Sequence, residues 1–143
     1  MRRLAHILPP FLPTAIVVIA ILYLTLAPDP LPDTETPSFL GEHADKIVHG
    51  IMMFGLTFTL VYDCRRHFVS LHSALPLKFL LTVGVTVTFF SILDEWAQSA
   101  MQMGRHGDIY DLLADIAGIV AALLLSYILK NLMRKSFDRN TGR

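Results

Sequence analysis

Residues 111–129 read DLLADIAGIVAALLLSYIL, and the parsing of this stretch decides the fold. From Ile116 to Leu129 it carries no charge. As a helix rising roughly 1.5 Å per residue, that run alone would cover only about 21 Å, short of the roughly 30 Å hydrocarbon core of a bilayer. Starting the helix at Asp111 restores the length, with a chemical consequence: Asp115 then lies about one turn, roughly 6 Å, inside the first residue. An acid at or below headgroup depth in a membrane helix marks a site.

The rest of the chain follows the same pattern. Apolar residues make up 53% of the 143 and charged residues only 17%, and the charges fall between long apolar runs, which places the chain among membrane proteins. No fixed charge lies between Arg3 and Asp29, within Ile47 to Tyr62, or within Phe79 to Leu93. These runs predict an all-α bundle of four transmembrane helices, over about 8–27, 45–63, 77–98 and 111–133, in a single domain. Helix 1 reads as long enough to cross outright. The other three must borrow from their flanks, which draws His49 and Glu95 into the helices along with Asp115. Pro9, Pro10 and Pro13 set the start of helix 1.

Charge gives an orientation. The amino terminus, the segment from Asp63 to Lys78 and the tail from Lys130 hold ten of the twelve Lys and Arg residues, whereas ten of the twelve acids lie in the opposite loops. Because Lys and Arg are retained on the cytoplasmic side, both termini are expected there, in a multi-pass protein of the cytoplasmic (inner) membrane. The tail then reads as a membrane-surface anchor, and topology accounts for the basic residues without nucleic-acid binding. A cleaved signal peptide competes for the amino terminus, but the apolar stretch is longer than a usual signal core and Pro28 would follow the cut. The loop 28–44, with Pro28, Pro30, Pro32 and Pro37, reads as an extended extracytoplasmic spacer rather than a lid. The single cysteine, Cys64, offers no disulfide framework.

Helical residues three or four apart share a side, and three helices carry polar stripes. These are Asp45 and His49 on helix 2, Gly84, Thr88, Ser91, Glu95 and Gln98 on helix 3, and Asp108, Asp111, Asp115, Gly118, Ala122 and Ser126 on helix 4. Small residues continuing each stripe into the membrane turn the stripes toward one another, because close packing in lipid uses Gly, Ala, Ser and Thr. Acids at membrane borders ordinarily sit in interfacial water and merely stop helices. A solvated border needs no particular side, however, and here the pairs repeat at helical spacing. Asp94, Glu95, Asp111 and Asp115, if drawn together, repel unless protonated or balanced by cations, for which Lys46, Arg105 and His106 are the partners at hand. Arg105, between Gly104 and Gly107, is placed to fold back on an acid, in a role that is as much architectural as chemical.

Taken in order, Asp45-Lys46-x-x-His49, Asp94-Glu95-x-x-Gln98, and Arg105 followed by Asp111-x-x-x-Asp115-x-x-Gly118 resemble the VanZ-like family of small bacterial membrane proteins. The likeness covers Asp45 to about Ala122. It departs at Met53, where many members carry an aromatic residue such as Tyr, and at Asp115, where relatives often have Asn. The resemblance implies a place in the bacterial cell envelope, and its founding member is associated with resistance to the glycopeptide teicoplanin.

Three functions fit these residues. The leading one is a non-enzymatic protein whose outward polar pocket, formed by Asp45, Lys46, His49, Asp94, Glu95, Gln98, Arg105, Asp111 and Asp115, binds a membrane lipid headgroup or a lipid-linked envelope precursor, with no cofactor. Lys46 and Arg105 would meet phosphate or carboxylate, and Glu95, Gln98 and Asp115 would hydrogen-bond hydroxyl, amide or amine groups. The second is an intramembrane hydrolase in which His49 with Asp45 acts as a base and carboxylates hold a metal or supply an acid. No His-Glu-x-x-His pattern and no marked Ser or Cys nucleophile supports it. The third, ion movement, is disfavoured because the stripes thin to Gly, Ala and Thr toward the cytoplasm. A homodimer through Gly118 and Ala122 is a further option.

Overall fold

The structure, a computed structural model, describes residues 9–27, 44–68, 76–101 and 109–141. They form four helices, α1 (Leu12–Leu26), α2 (Ala44–Phe68), α3 (Leu77–Met101) and α4 (Ile109–Thr141), and no strand. The stretches Ala44–His67, Leu77–Met101 and Ile109–Leu132 are each long and apolar enough to cross a membrane. The relative lengths thus differ from the sequence reading, since α1, expected to cross outright, has only 15 residues. Its ends explain why. Pro13 stands in the first turn, after Phe11 in a left-handed conformation (φ 58°), and Ala27 is extended because Pro28 follows it. The other three run long because the charged residues at their borders stay helical.

Contacts between the helices give the topology. Thr14 at the start of α1 meets Asp63 near the end of α2, and Thr25 at the end of α1 meets Asp94 near the end of α3. His49 near the start of α2 lies beside Asp115 near the start of α4. Hence α1 and α3 run one way and α2 and α4 the other. The starts of α2 and α4 share one end of the bundle, here termed the polar end, with the finish of α1 and α3.

The α2–α4 contact is the most extensive in the bundle. Gly118 faces Gly50 so closely that a Cβ on Gly118 would collide with the Gly50 carbonyl oxygen and come within 3.1 Å of the Phe54 nitrogen. A Cβ on Gly50 would in turn stand 3.2 Å from the Ala114 carbonyl oxygen. Small residues let the two backbones touch, the means by which helices associate where lipid gives no hydrophobic drive. Gly118 and Ala122, read from sequence as available to a second copy, are both buried inside the chain by this packing. Around the crossing, Ile21, Met53, Leu56, Val61, Val83, Val87 and Ile119 form the apolar core.

The outer surface is inverted relative to a water-soluble bundle. Ile19, Leu81, Val85, Phe89, Leu124 and Ile128 are exposed, whereas Thr57, Asp63, Ser91 and Asp115 are buried. Lipid accepts the first group and rejects the second. Exposed aromatics gather toward the borders, with Tyr23, Trp96 and Tyr110 at the polar end and Tyr62 toward the other, as amphipathic rings do at membrane–water interfaces.

Gly118→Ala should lower stability by about 1–3 kcal/mol, because the added carbon meets backbone that cannot turn aside. Gly55→Ala places its Cβ where nothing lies within 4 Å, and should be neutral or stabilising by up to about 1 kcal/mol. Thermal unfolding of both variants in one detergent checks the contrast, and similar shifts would contradict the packing described.

Candidate functional site

At the polar end, the first turns of α2 and α4 and the last third of α3 bring most of the sequence-marked polar residues together. On α3 the buried face runs through Val83, Val87, Ser91, Asp94 and Gln98. It is turned slightly from the predicted stripe, so that Asp94 points inward and Glu95 lies on its shoulder, its side chain 13% exposed. On α2, His49 is buried while Asp45, one turn earlier, is exposed. On α4, Asp111 and Asp115 are both buried. Arg105, His106 and Asp108 lie outside the described residues, as does most of the Pro-rich loop.

Each acid has a different neighbourhood. Lys46 Nζ stands 3.4 Å from Asp111 Oδ1, with its ammonium 5.8 Å from the centroid of the Tyr110 ring. Asp94 Oδ2 accepts a 3.1 Å hydrogen bond from Gln98 Nε2. The Thr25 hydroxyl lies 2.9 Å from both Asp94 Oδ1 and the Ile21 carbonyl oxygen, and its one proton serves either acceptor. Ser91 Oγ donates to Asp115 Oδ2 at 2.6 Å. The remaining Asp115 oxygen, Oδ1, is 3.4 Å from His49 Nδ1, and Glu95 Oε1 is 3.5 Å from the same nitrogen.

His49, Glu95 and Asp115 are therefore the centre of the cluster, one residue from each of three helices. His49, Asp45 and Asp111 form a second, overlapping group whose ligand atoms also lie within 4.8 Å of one another, although Asp45 is exposed. Either group offers nitrogen and carboxylate donors of the kind that hold a cation. The position of His49 is set by the neighbouring Gly50, which lets α4 approach closely enough for Asp115, three residues before Gly118, to reach it.

Two polar contacts were not anticipated from sequence. Thr25 joins α1 to the cluster through Asp94; the available signal is a threonine in the last turn of a largely apolar helix, one turn before Pro28. Asp63, read as the start of a loop, is instead buried within α2. Its Oδ2 accepts from the Thr14 amide at 3.1 Å and the Thr14 hydroxyl at 2.7 Å. Because α1 has no side-chain cap of its own, Asp63 supplies one from the neighbouring helix, where the helix dipole also favours an anion. Lys130, placed by sequence in a surface tail, is buried within α4, which continues to Thr141.

The fold and this cluster define a helical membrane protein with an ionisable centre at one end of its bundle. No curated protein and no solved structure matches the chain. The VanZ/LLP1 family model, however, matches residues 11–130, and the chain belongs to that family.

Thr25→Val and Asp94→Ala, alone and combined, should give a non-additive cycle with coupling of roughly 0.5–1.7 kcal/mol, the range for hydrogen bonds between membrane helices. Unfolding in detergent provides the readout, and strict additivity would mean that the two side chains do not interact.

Proposed function

We propose that this VanZ/LLP1-family protein sits in the inner membrane of the bacterial envelope with its polar end facing away from the cytoplasm, where it binds an envelope amphiphile. The chemistry recognised is a phosphate-bearing headgroup with hydroxyl or amide groups, carried by a membrane lipid or by a lipid-linked wall precursor. The observation that carries this reading is the convergence of His49, Glu95 and Asp115, with Lys46, Asp111, Asp94 and Gln98 around them, at one end of an apolar bundle bordered by Trp96, Tyr110 and Tyr23. Interfacial aromatics lie at headgroup depth, so the cluster is at the level an amphiphile presents its polar part. Lys46, partly exposed beside Asp111, is placed to exchange its carboxylate for a ligand phosphate, and Arg105 is assigned the same role. Holding a wall precursor would change what a glycopeptide meets at the membrane, which is the route by which teicoplanin susceptibility would respond to this protein.

Hydrolysis of a headgroup is the alternative. It draws support from the imidazole beside two carboxylates, but among the described residues the hydroxyls that reach the cluster donate to carboxylates, Ser91 to Asp115 and Thr25 to Asp94, and not to His49. In a serine nucleophile the order is reversed, with the imidazole accepting the hydroxyl proton. A serine nucleophile is therefore unsupported, and binding, which asks no more of these residues than their convergence, is the better reading.

Native mass spectrometry of protein released in mild detergent tests it. The wild type should carry a lipid that Lys46→Ala and Glu95→Gln lose, and fragmentation of the bound species distinguishes a phospholipid from a wall precursor. Equal lipid on all three proteins, or none on any, would remove the proposal. For the orientation, a reporter that matures only in the cytoplasm should be active when fused after Arg143. An inactive fusion would invert the topology.

A further inference from the structure

Most acids at the polar end have a partner that accounts for their charge. Asp111 faces Lys46, Asp94 accepts from Thr25 and Gln98, and one oxygen of Asp115 accepts from Ser91. Asp115 Oδ1, both oxygens of Glu95 and His49 Nδ1 are buried and form no hydrogen bond. His49 is only 3% exposed and Asp115 only 1%, so bulk solvent does not replace the missing partners. Unpaired carboxylates in such surroundings are strongly disfavoured.

These atoms are nonetheless drawn together. Nδ1 lies 3.4 Å from Asp115 Oδ1 and 3.5 Å from Glu95 Oε1, and one donor atom of each residue lies within 4.8 Å of the other two. A cation shared among them would hold three electron-rich atoms together in this way. A proton on Nδ1 would be the simplest one, held at ion-pair distance from both oxygens rather than in a hydrogen bond to either. An imidazolium would, however, offset only one of the two carboxylates. An ion bound to three ligands at about 2.1 Å, with tetrahedral angles between them, separates the ligand atoms by about 3.4 Å.

We infer that His49, Glu95 and Asp115 form a binding site for one divalent transition-metal ion, of the Zn²⁺ or Mn²⁺ class. Nδ1 binds through its lone pair, with the ring proton on Nε2, and the two carboxylates neutralise the ion. A coordination position is left for water or an anionic oxygen. One imidazole with two carboxylates suits zinc and manganese better than magnesium or calcium, which favour all-oxygen sites. Ser91 takes the outer role: by holding Asp115 Oδ2 it turns Oδ1 toward the ion. The site requires no amphiphile and stands whether or not the proposed ligand binds.

The test uses the full chain, purified in mild detergent, stripped with a chelator, equilibrated with Zn²⁺ or Mn²⁺ alone, desalted, and measured by elemental mass spectrometry. The wild type should retain one ion per chain. Glu95→Gln and Asp115→Asn, which preserve side-chain size, should lose it, and Ser91→Ala should weaken binding roughly 10–100-fold. Asp45→Asn should bind as the wild type does. No stoichiometric ion on the wild type would overturn the inference, as would retention in both Glu95→Gln and Asp115→Asn. Binding lost in Asp45→Asn but kept in Glu95→Gln would overturn it too, by moving the ion to the Asp45–His49–Asp111 group. Should either carboxamide variant fail to elute as a monodisperse species, the visible ligand-field spectrum of the Co²⁺-loaded wild type decides: a tetrahedral signature supports the site, and that of hexa-aqua cobalt rejects it.

Discussion

Everything at the polar end depends on the contact between Gly50 and Gly118. In lipid, apolar side chains gain little by leaving their surroundings for one another, so helices hold together through close backbone approach and through polar pairs. Here the first enables the second. With Gly118 against the Gly50 carbonyl, α2 and α4 come near enough for His49, beside Gly50, to meet Asp115, one turn before Gly118. A larger residue at either glycine would separate the helices and pull the cluster apart, even though neither glycine carries any chemistry. The same proximity makes α2 and α4 the central pair, against which α1 and α3 are laid.

The shorter helix is held differently. α1 is anchored by a polar contact at each end, Thr14 to Asp63 and Thr25 to Asp94, with Ile21 in the apolar core between them. Each contact also answers a need of its partner. The start of α1 lacks a side-chain cap and receives one from Asp63, while Asp94 receives a donor from Thr25. A hydroxyl is well suited to this, since it can fall back on its own helix carbonyl, as Thr25 does with Ile21, and so is never left unpaired in lipid.

The helical class and the main clustering were legible in the sequence because both follow from period and polarity. The 3.6-residue repeat places Asp111 and Asp115 on one face, and the interruption of apolar runs by acids marks the helix borders. What stayed hidden was pairing across helices. Nothing in the spacing of Thr25 indicates that it meets Asp94, 69 residues away, or that Thr14 meets Asp63. Helix lengths were misjudged for a related reason. Counting uncharged residues favours α1, whose ends are set by prolines, and shortens α2 and α4, whose charged termini remain helical. Asp45 illustrates the limit from the other side: it shares a helical face with His49 at four-residue spacing and reaches toward it, yet standing in the first turn of α2 it is exposed.

The distribution of support among the acids explains why the chemistry concentrates where it does. Asp45 and Asp111 stand in the first turns of α2 and α4, where unsatisfied amides and the positive end of the helix dipole favour a carboxylate, and Asp111 has Lys46 besides. Asp94 lies in the last third of α3, away from the start of its own helix, but two side-chain donors serve it. Glu95 is equally deep in the same helix and has no donor, only the imidazole at ion-pair distance. It is the acid that the scaffold supports least, and Asp115, with one oxygen satisfied, comes next. A fold selected for stability alone would replace Glu95 with an apolar residue, because a buried carboxylate contributes nothing to packing and a half-satisfied polar group costs more than none. The charge is thus best understood as directed at something that arrives from outside the chain and is itself positive at the point of contact.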